Sequence, residues 1–111
     1  MNGREIFKFG SRILVDCVAK ILKESHLSSD DIDYIIPHQA NIRITQYAAR
    51  ALNIDEEKFI INIDECGNTS AASIPIALDQ AVSVGKIHAG NRLILAGFGA
   101  GLTWGSALIN W

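Results

Sequence analysis

With 111 residues, 49% of them hydrophobic and 20% charged, the chain has the composition of one soluble globular domain with a substantial core, which excludes the disordered and fibrous classes. A formal net charge of −2 argues against a broad electrostatic footprint for nucleic acid or an anionic membrane, and no apolar run approaches the ~20 residues of a membrane span. The opening MNGREIFKFG has neither the apolar core nor the cleavage site of a signal peptide, and Cys17 and Cys66 have no metal-site or disulfide spacing, so a reducing, cytoplasmic setting is expected, with no metal and no cofactor.

From Glu5 to Lys23, Ile6, Phe9, Ile13, Cys17 and Ile21 recur every three or four residues, and Leu14, Val18 and Leu22 broaden the stripe. That spacing predicts an amphipathic helix lying on a large surface, with Cys17 as a small core residue rather than a reactive thiol. Ser25 to Asp31 is polar and rich in turn formers. Tyr34-Ile35-Ile36 reads as a buried strand that Pro37 stops, and a helix opens near Asn41 and runs to Leu52, leaving His38 on the turn between them. In that helix Ile42, Ile44, Ala48 and Leu52 are apolar, Ala48, Ala49 and Ala51 are small enough for close packing, and Arg43, Gln46, Tyr47 and Arg50 fall along another side.

After the charged connection Asn53 to Lys58, Phe59 to Ile63 reads as a second strand, and the loop Asp64 to Asn68 leads to a helix from Ser70 to Val84. Ile74, Ala77, Leu78, Ala81 and Val82 form its apolar side, Pro75 is tolerated near the first turn, and Gly85 is a natural left-handed residue at the end. Arg92 to Ala96 and Leu102 to Asn110 are predicted strands around a turn at Gly97 to Gly101. The order helix, strand, helix, strand, helix, strand, strand predicts an α/β fold, a mixed sheet with helices packed on it, its last pair antiparallel. A long amphipathic helix with no strand before it reads as a sheet lacking its first strand.

In open sheets with parallel strands, ligands sit beyond the carboxyl ends of the strands, so His38 and Asn68, on two successive strand-to-helix turns, are expected side by side. Either residue alone has an ordinary explanation, because a turn histidine can bond a backbone group and Gly-Asn is common turn chemistry. Together, a neutral imidazole N–H and a carboxamide N–H₂ make a two-donor oxyanion site, and the helix amino terminus after His38 disfavours the imidazolium. Such a pair suits chemistry in which negative charge builds on a carbonyl oxygen. Gly97 to Gly101 contains GxGxG, but no helix opens after it, so a dinucleotide site is rejected in favour of a tight hairpin with backbone amides close to a ligand. Cys66 has no basic neighbour and reads as an incidental loop cysteine.

Ile36-Pro37-His38-Gln39-Ala40-Asn41, Gly67-Asn68-Thr69-Ser70-Ala71-Ala72-Ser73 and Gly97-Phe98-Gly99-Ala100-Gly101-Leu102-Thr103-Trp104-Gly105, in this order and at this spacing, resemble the carboxyl-terminal half of the β-ketoacyl-[acyl-carrier-protein] synthase III family of thiolase-like condensing enzymes. The opening MNGREIFKF resembles a mid-chain segment of that family, so residues 1–111 read as one carboxyl-terminal domain, incomplete at its amino-terminal end. The resemblance implies an acyltransferase of fatty-acid biosynthesis that takes an acyl group from coenzyme A onto a cysteine and condenses it with malonyl-acyl-carrier protein, releasing carbon dioxide. It implies His38 and Asn68 as catalytic residues, and Phe98, Ala100, Ala40 and Asn41 as substrate-binding residues. Phe98 matches an aromatic residue at the malonyl site. The Ala100 amide matches part of the oxyanion hole, at a position more often glycine.

Arg43 and Arg50 are candidates for meeting the acidic acyl-carrier protein. The implied partners are acyl-carrier protein, a coenzyme A thioester, the amino-terminal half of the same enzyme and, when complete, a second copy in a homodimer, in cytoplasm or plastid stroma. The family's nucleophilic cysteine belongs to the amino-terminal half and neither Cys17 nor Cys66 matches it, so the isolated chain is expected to be inactive. Two other readings compete: a catalytically silent domain that binds acyl-carrier protein or a partner half, and half of a related thiolase-fold enzyme such as a polyketide or hydroxymethylglutaryl-coenzyme A synthase.

Overall fold

The computed structural model of the chain describes residues 3–37, 42–61, 73–99 and 103–111. Helix α1 spans Gly3–Glu24, strand β1 Tyr34–Pro37, helix α2 Ile42–Leu52, helix α3 Ser73–Ser83, strand β2 Arg92–Gly99 and strand β3 Thr103–Asn110. The sheet is mixed, in the order β1-β2-β3. β1 and β2 are parallel, with Tyr34 opposite Leu93 and Pro37 opposite Ala96. β2 and β3 are antiparallel, from Arg92 opposite Asn110 to Gly99 opposite Thr103.

Alternation along the strands divides the apolar residues between two faces, because successive side chains of a strand point to opposite sides. Ile35, Ile94 and Ala96 share one face with Ile13, Leu14, Cys17 and Val18 of α1 and Ile44, Ala48 and Ala49 of α2. Ile36 and Leu93 share the other with Ala77 and Ala81 of α3, and Ile74, Leu78 and Val82 pack against them. The result is a sheet between two helical layers. Full burial of a side chain such as Leu14 is worth roughly 1.5–3 kcal/mol, so the face of α1 that the spacing picks out is the face that stabilises it.

The three described α-helices end in the same way. The Leu27 N–H donates to the Leu22 carbonyl, the Ile54 N–H to Ala49 and the Lys86 N–H to Ala81, while His26, Asn53 and Gly85 donate one turn in. These are Schellman ends, and each places its residue in the left-handed region, with φ of 56° at His26, 54° at Asn53 and 80° at Gly85. Gly85 is the one that glycine chemistry announces; asparagine tolerates the conformation, and histidine bears it at a cost.

The structure corrects four expectations. Pro37 ends β1 from within it, as its last residue paired with Ala96 rather than the residue after it, because a proline with no N–H to contribute is acceptable at a strand end. Phe59 makes only an isolated parallel bridge to Ile35, so over residues 59–61 there is no ladder; Asn62 and Ile63 lie outside the described residues. Gly97 and Gly99 are not turn residues, since β2 runs through Gly99. On α2, Ile42 is 37% exposed, because it stands at the helix start, before the turn that meets α1.

Candidate functional site

The described elements that border the three sequence motifs meet at one end of the sheet. β1 ends at Pro37 and α2 begins at Ile42. The chain passes Phe59 parallel to β1, with the Ile60 N–H donating to the Ile35 carbonyl at 2.9 Å, and so leaves toward the same end. β2 continues past its last pairing with β1 at Ala96 as far as Gly99, and β3 returns from Thr103. Residues 38–41, 62–72 and 100–102 are thus bounded by elements that point to the carboxyl end of the parallel strands, where α/β folds place their ligands.

Two helices open there with no acidic residue in the first turn of either. Their aligned peptide dipoles give this end a positive potential from the backbone alone. Gly97 sets how close α3 comes. A Cβ at this position would lie 3.1 Å from Cδ1 of Ile74, in the first turn of α3, so the absence of a side chain lets that turn close onto β2. Such an end can hold and stabilise an anion.

His38, Ala40, Asn41, Asn68, Ala100 and Cys66 lie outside the described residues. Phe98 is opposite Trp104 in the β2–β3 ladder; its side chain lies outside them as well. Arg43 and Arg50 are both exposed on α2, on the side that also carries Tyr47 at 43% exposure. Cys17 is 5% exposed, and burial, reinforced by Asp16, pushes its thiol above the ordinary value against the opposing pull of Lys20. A thiol that resists ionisation is a poor nucleophile, as the core reading of Cys17 requires. Among the described residues no group of three His, Cys, Asp or Glu side chains is placed to hold a metal, and no helix is long and apolar enough to cross a membrane.

One residue escaped the reading of the sequence. Ser11, 4% exposed, has a hydroxyl with no hydrogen-bond partner, on the floor of a groove between α1 and α2. Its spacing to Leu14 and Val18 is the signal that could have marked it as buried.

Residues 22–111 match the family described as 3-oxoacyl-[acyl-carrier-protein] synthase III, C terminal. The chain is 55% identical over its whole length to a β-ketoacyl-[acyl-carrier-protein] synthase III of Clostridium tetani, covering 33% of that protein, and 50% identical to one of Staphylococcus aureus, covering 36%. Among solved structures, the synthase III of Aquifex aeolicus VF5 superimposes on the entire chain with a TM-score of 0.96 at 42% identity, 36% of that chain being covered. The enzyme of Thermus thermophilus does so with a TM-score of 0.94 at 44% identity and 35% coverage. The chain therefore spans about a third of the length of these relatives.

Proposed function

The chain belongs to the 3-oxoacyl-[acyl-carrier-protein] synthase III family, and we propose that it is the malonyl-handling part of a condensing enzyme that converts an acyl-coenzyme A and malonyl-acyl-carrier protein to 3-oxoacyl-acyl-carrier protein, carbon dioxide and coenzyme A. The observation that carries the proposal is the shared end of the sheet, bordered by the elements on either side of the His38, Asn68 and Ala100 motifs and by two helix amino termini without acids. Decarboxylation breaks the bond between the malonyl carboxylate and the α-carbon, and the electron pair moves into an enolate whose negative charge sits on the thioester oxygen. Two neutral donors at that oxygen, the His38 imidazole and the Asn68 carboxamide, stabilise the charge without protonating the carbanion. The carbanion then attacks the carbonyl of an acyl-cysteine, the tetrahedral oxyanion is held by backbone amides that include Ala100, and the thiolate leaves.

Phe98, Ala40 and Asn41 line the substrate in this reading, and the exposed Arg43 and Arg50 face the acidic carrier protein. The nucleophilic cysteine comes from the part of the enzyme outside these residues, which is consistent with the buried, poorly ionising Cys17. The complete enzyme is proposed to be a cytoplasmic or plastid homodimer.

In a full-length enzyme with this carboxyl-terminal region, His38→Ala and Asn68→Ala each lower malonyl decarboxylation by ~10²–10³ while acyl transfer from coenzyme A is largely kept, since transfer uses the cysteine and the backbone amides. Equal loss of both half-reactions overturns the assignment. Incubated alone with acetyl-coenzyme A, the 111-residue chain acquires no stoichiometric acetyl adduct by intact-mass spectrometry; an adduct on Cys66 would make it a self-sufficient acyltransferase.

A further inference from the structure

The segments that lead to His38 and to Asn68 meet at one pair of residues. Ile35 and Phe59 form a parallel bridge, and the Ile60 N–H donates to the Ile35 carbonyl at 2.9 Å. His38 follows Ile35 by three residues, and Asn68 follows Phe59 by nine. The second segment is held from its entry. Asp55 caps the short 3₁₀ turn Glu56–Lys58 by accepting the Glu57 N–H at 2.9 Å, and the Lys58 ammonium donates to the Ser29 carbonyl at 3.1 Å. Burial then fixes it from both sides. Phe59, 3% exposed, shares the core under α1 and α2 with Ile35, whereas Ile60, 6% exposed, shares the core under α3 with Ile36. A slip of one residue would exchange the faces of Phe59 and Ile60. A slip of two would move the chain by about 6.6 Å and bring Lys58 or Asn62 to the buried place of Ile60, where a polar group is unfavourable. Only one register keeps both sides apolar, and within it the larger side chain sets the fine position.

We infer that Phe59 is a positioning residue for the two-donor site: its ring, packed in the core under α1 and α2, fixes the segment that leads to Asn68 against the segment that leads to His38. The role rests on the reading of those two residues as the donors for decarboxylation. Two donors that must meet one oxygen tolerate little displacement, since a misplacement of ~1 Å lowers a rate by on the order of a hundredfold. Replacing the ring by a smaller side chain leaves a space that the surrounding core fills only in part, so residues 59–61 shift without unfolding. Acyl transfer from coenzyme A uses the cysteine and backbone amides in this reading, so it does not depend on the alignment of the two side chains. Phe59 itself touches no substrate and acts through Asn68.

The test is kinetic, in a full-length enzyme with this carboxyl-terminal region. Phe59→Leu is expected to lower kcat for malonyl decarboxylation at least about tenfold per folded molecule, with KM for malonyl-acyl-carrier protein and the rate of acyl transfer both kept within about twofold. Phe59→Met, closer in volume and adaptable in shape, keeps most of the rate. Val18→Ala, in the same core but on α1, is the control for destabilisation and leaves decarboxylation per folded molecule unchanged. Combined with His38→Ala, Phe59→Leu lowers the residual rate by a much smaller factor than it does alone, because one donor has no second donor to be aligned with. An equal loss in Val18→Ala would reduce Phe59 to general core packing and overturn the role. So would the full factor in the His38→Ala background, or an equal fall in acyl transfer. A His38→Ala enzyme that decarboxylates normally would overturn the donor assignment and the positioning role with it, an outcome read without any change at Phe59.

Discussion

At the amino ends of β1 and β2 the backbone is tied down residue by residue, whereas at their carboxyl ends the described strands stop and two helices begin. The tied end is dense with hydrogen bonds. The Asp33 N–H donates to the Arg92 carbonyl at 2.9 Å, and the Arg92 N–H donates back to Oδ2 of Asp33 at 2.8 Å. The Arg92 guanidinium reaches the Asp31 carbonyl and Oδ1 of Asn110, each at 3.4 Å, and Trp111 exchanges backbone bonds with Gly90 and Asn91. Asn91, 9% exposed, accepts the His88 N–H with its side chain. At the other end two helices without an acidic first turn begin beside a glycine-bearing strand. The difference teaches that one end supplies rigidity through satisfied polar groups, while the other brings the positive ends of two helix dipoles to one place, as the proposed chemistry of an anionic intermediate requires.

Three substitutions test that division, and the first carries the largest effect. Gly97→Ala forces a Cβ against Ile74 and is expected to lower stability by about 1–3 kcal/mol, read as a fall in denaturant midpoint at unchanged slope. Ile74→Val removes the opposing Cδ1 and recovers part of the loss, so the two substitutions are coupled in a double-mutant cycle. Strict additivity would show that the glycine does not set the position of α3. In a full-length enzyme Gly97→Ala also slows decarboxylation, because it displaces the first turn of α3.

At the other end, Asp33→Ala removes the acceptor of the Arg92 N–H and is expected to cost about 1 kcal/mol, with decarboxylation per folded molecule unchanged. A fall in turnover per folded molecule would break the separation of the two ends.

The smallest effect concerns Cys17, midway along α1. Burial raises its pKa in the fold above the ordinary thiol value, so the stability it contributes is fully present below the unfolded value and is lost as pH rises through it toward the folded one. The wild type therefore loses stability faster than Cys17→Ala between about pH 8.5 and the alkaline limit. Superimposable alkaline profiles would show that burial of the thiol is unimportant to the fold.

The period of three to four along α1 and the short apolar runs of β1 and β2 were legible in the sequence, the first because it records which side of a helix avoids water and the second because both faces of these strands are covered. For the same reason Cys17 was placed correctly in the core and Arg43 and Arg50 on an exposed side. The motifs around His38, Asn68 and Ala100 were legible through their resemblance to the synthase III family, to which the chain belongs. Other features depended on partners far away in the chain. Phe59 forms a bridge rather than a ladder because of how residues 59–61 meet β1, and β2 extends to Gly99 because β3 pairs with it that far. His26 takes the left-handed conformation because the end of α1 must turn Leu27 back onto Leu22, a demand that histidine itself does not announce. Ser11 is buried with its hydroxyl unpartnered, which the sequence of α1 does not announce. Local periodicity thus determined the elements and their buried faces, because each follows from the water-avoiding side of a single segment. Tertiary structure alone decided where those faces leave a polar group unsatisfied, because an unmade hydrogen bond is a property of two segments at once.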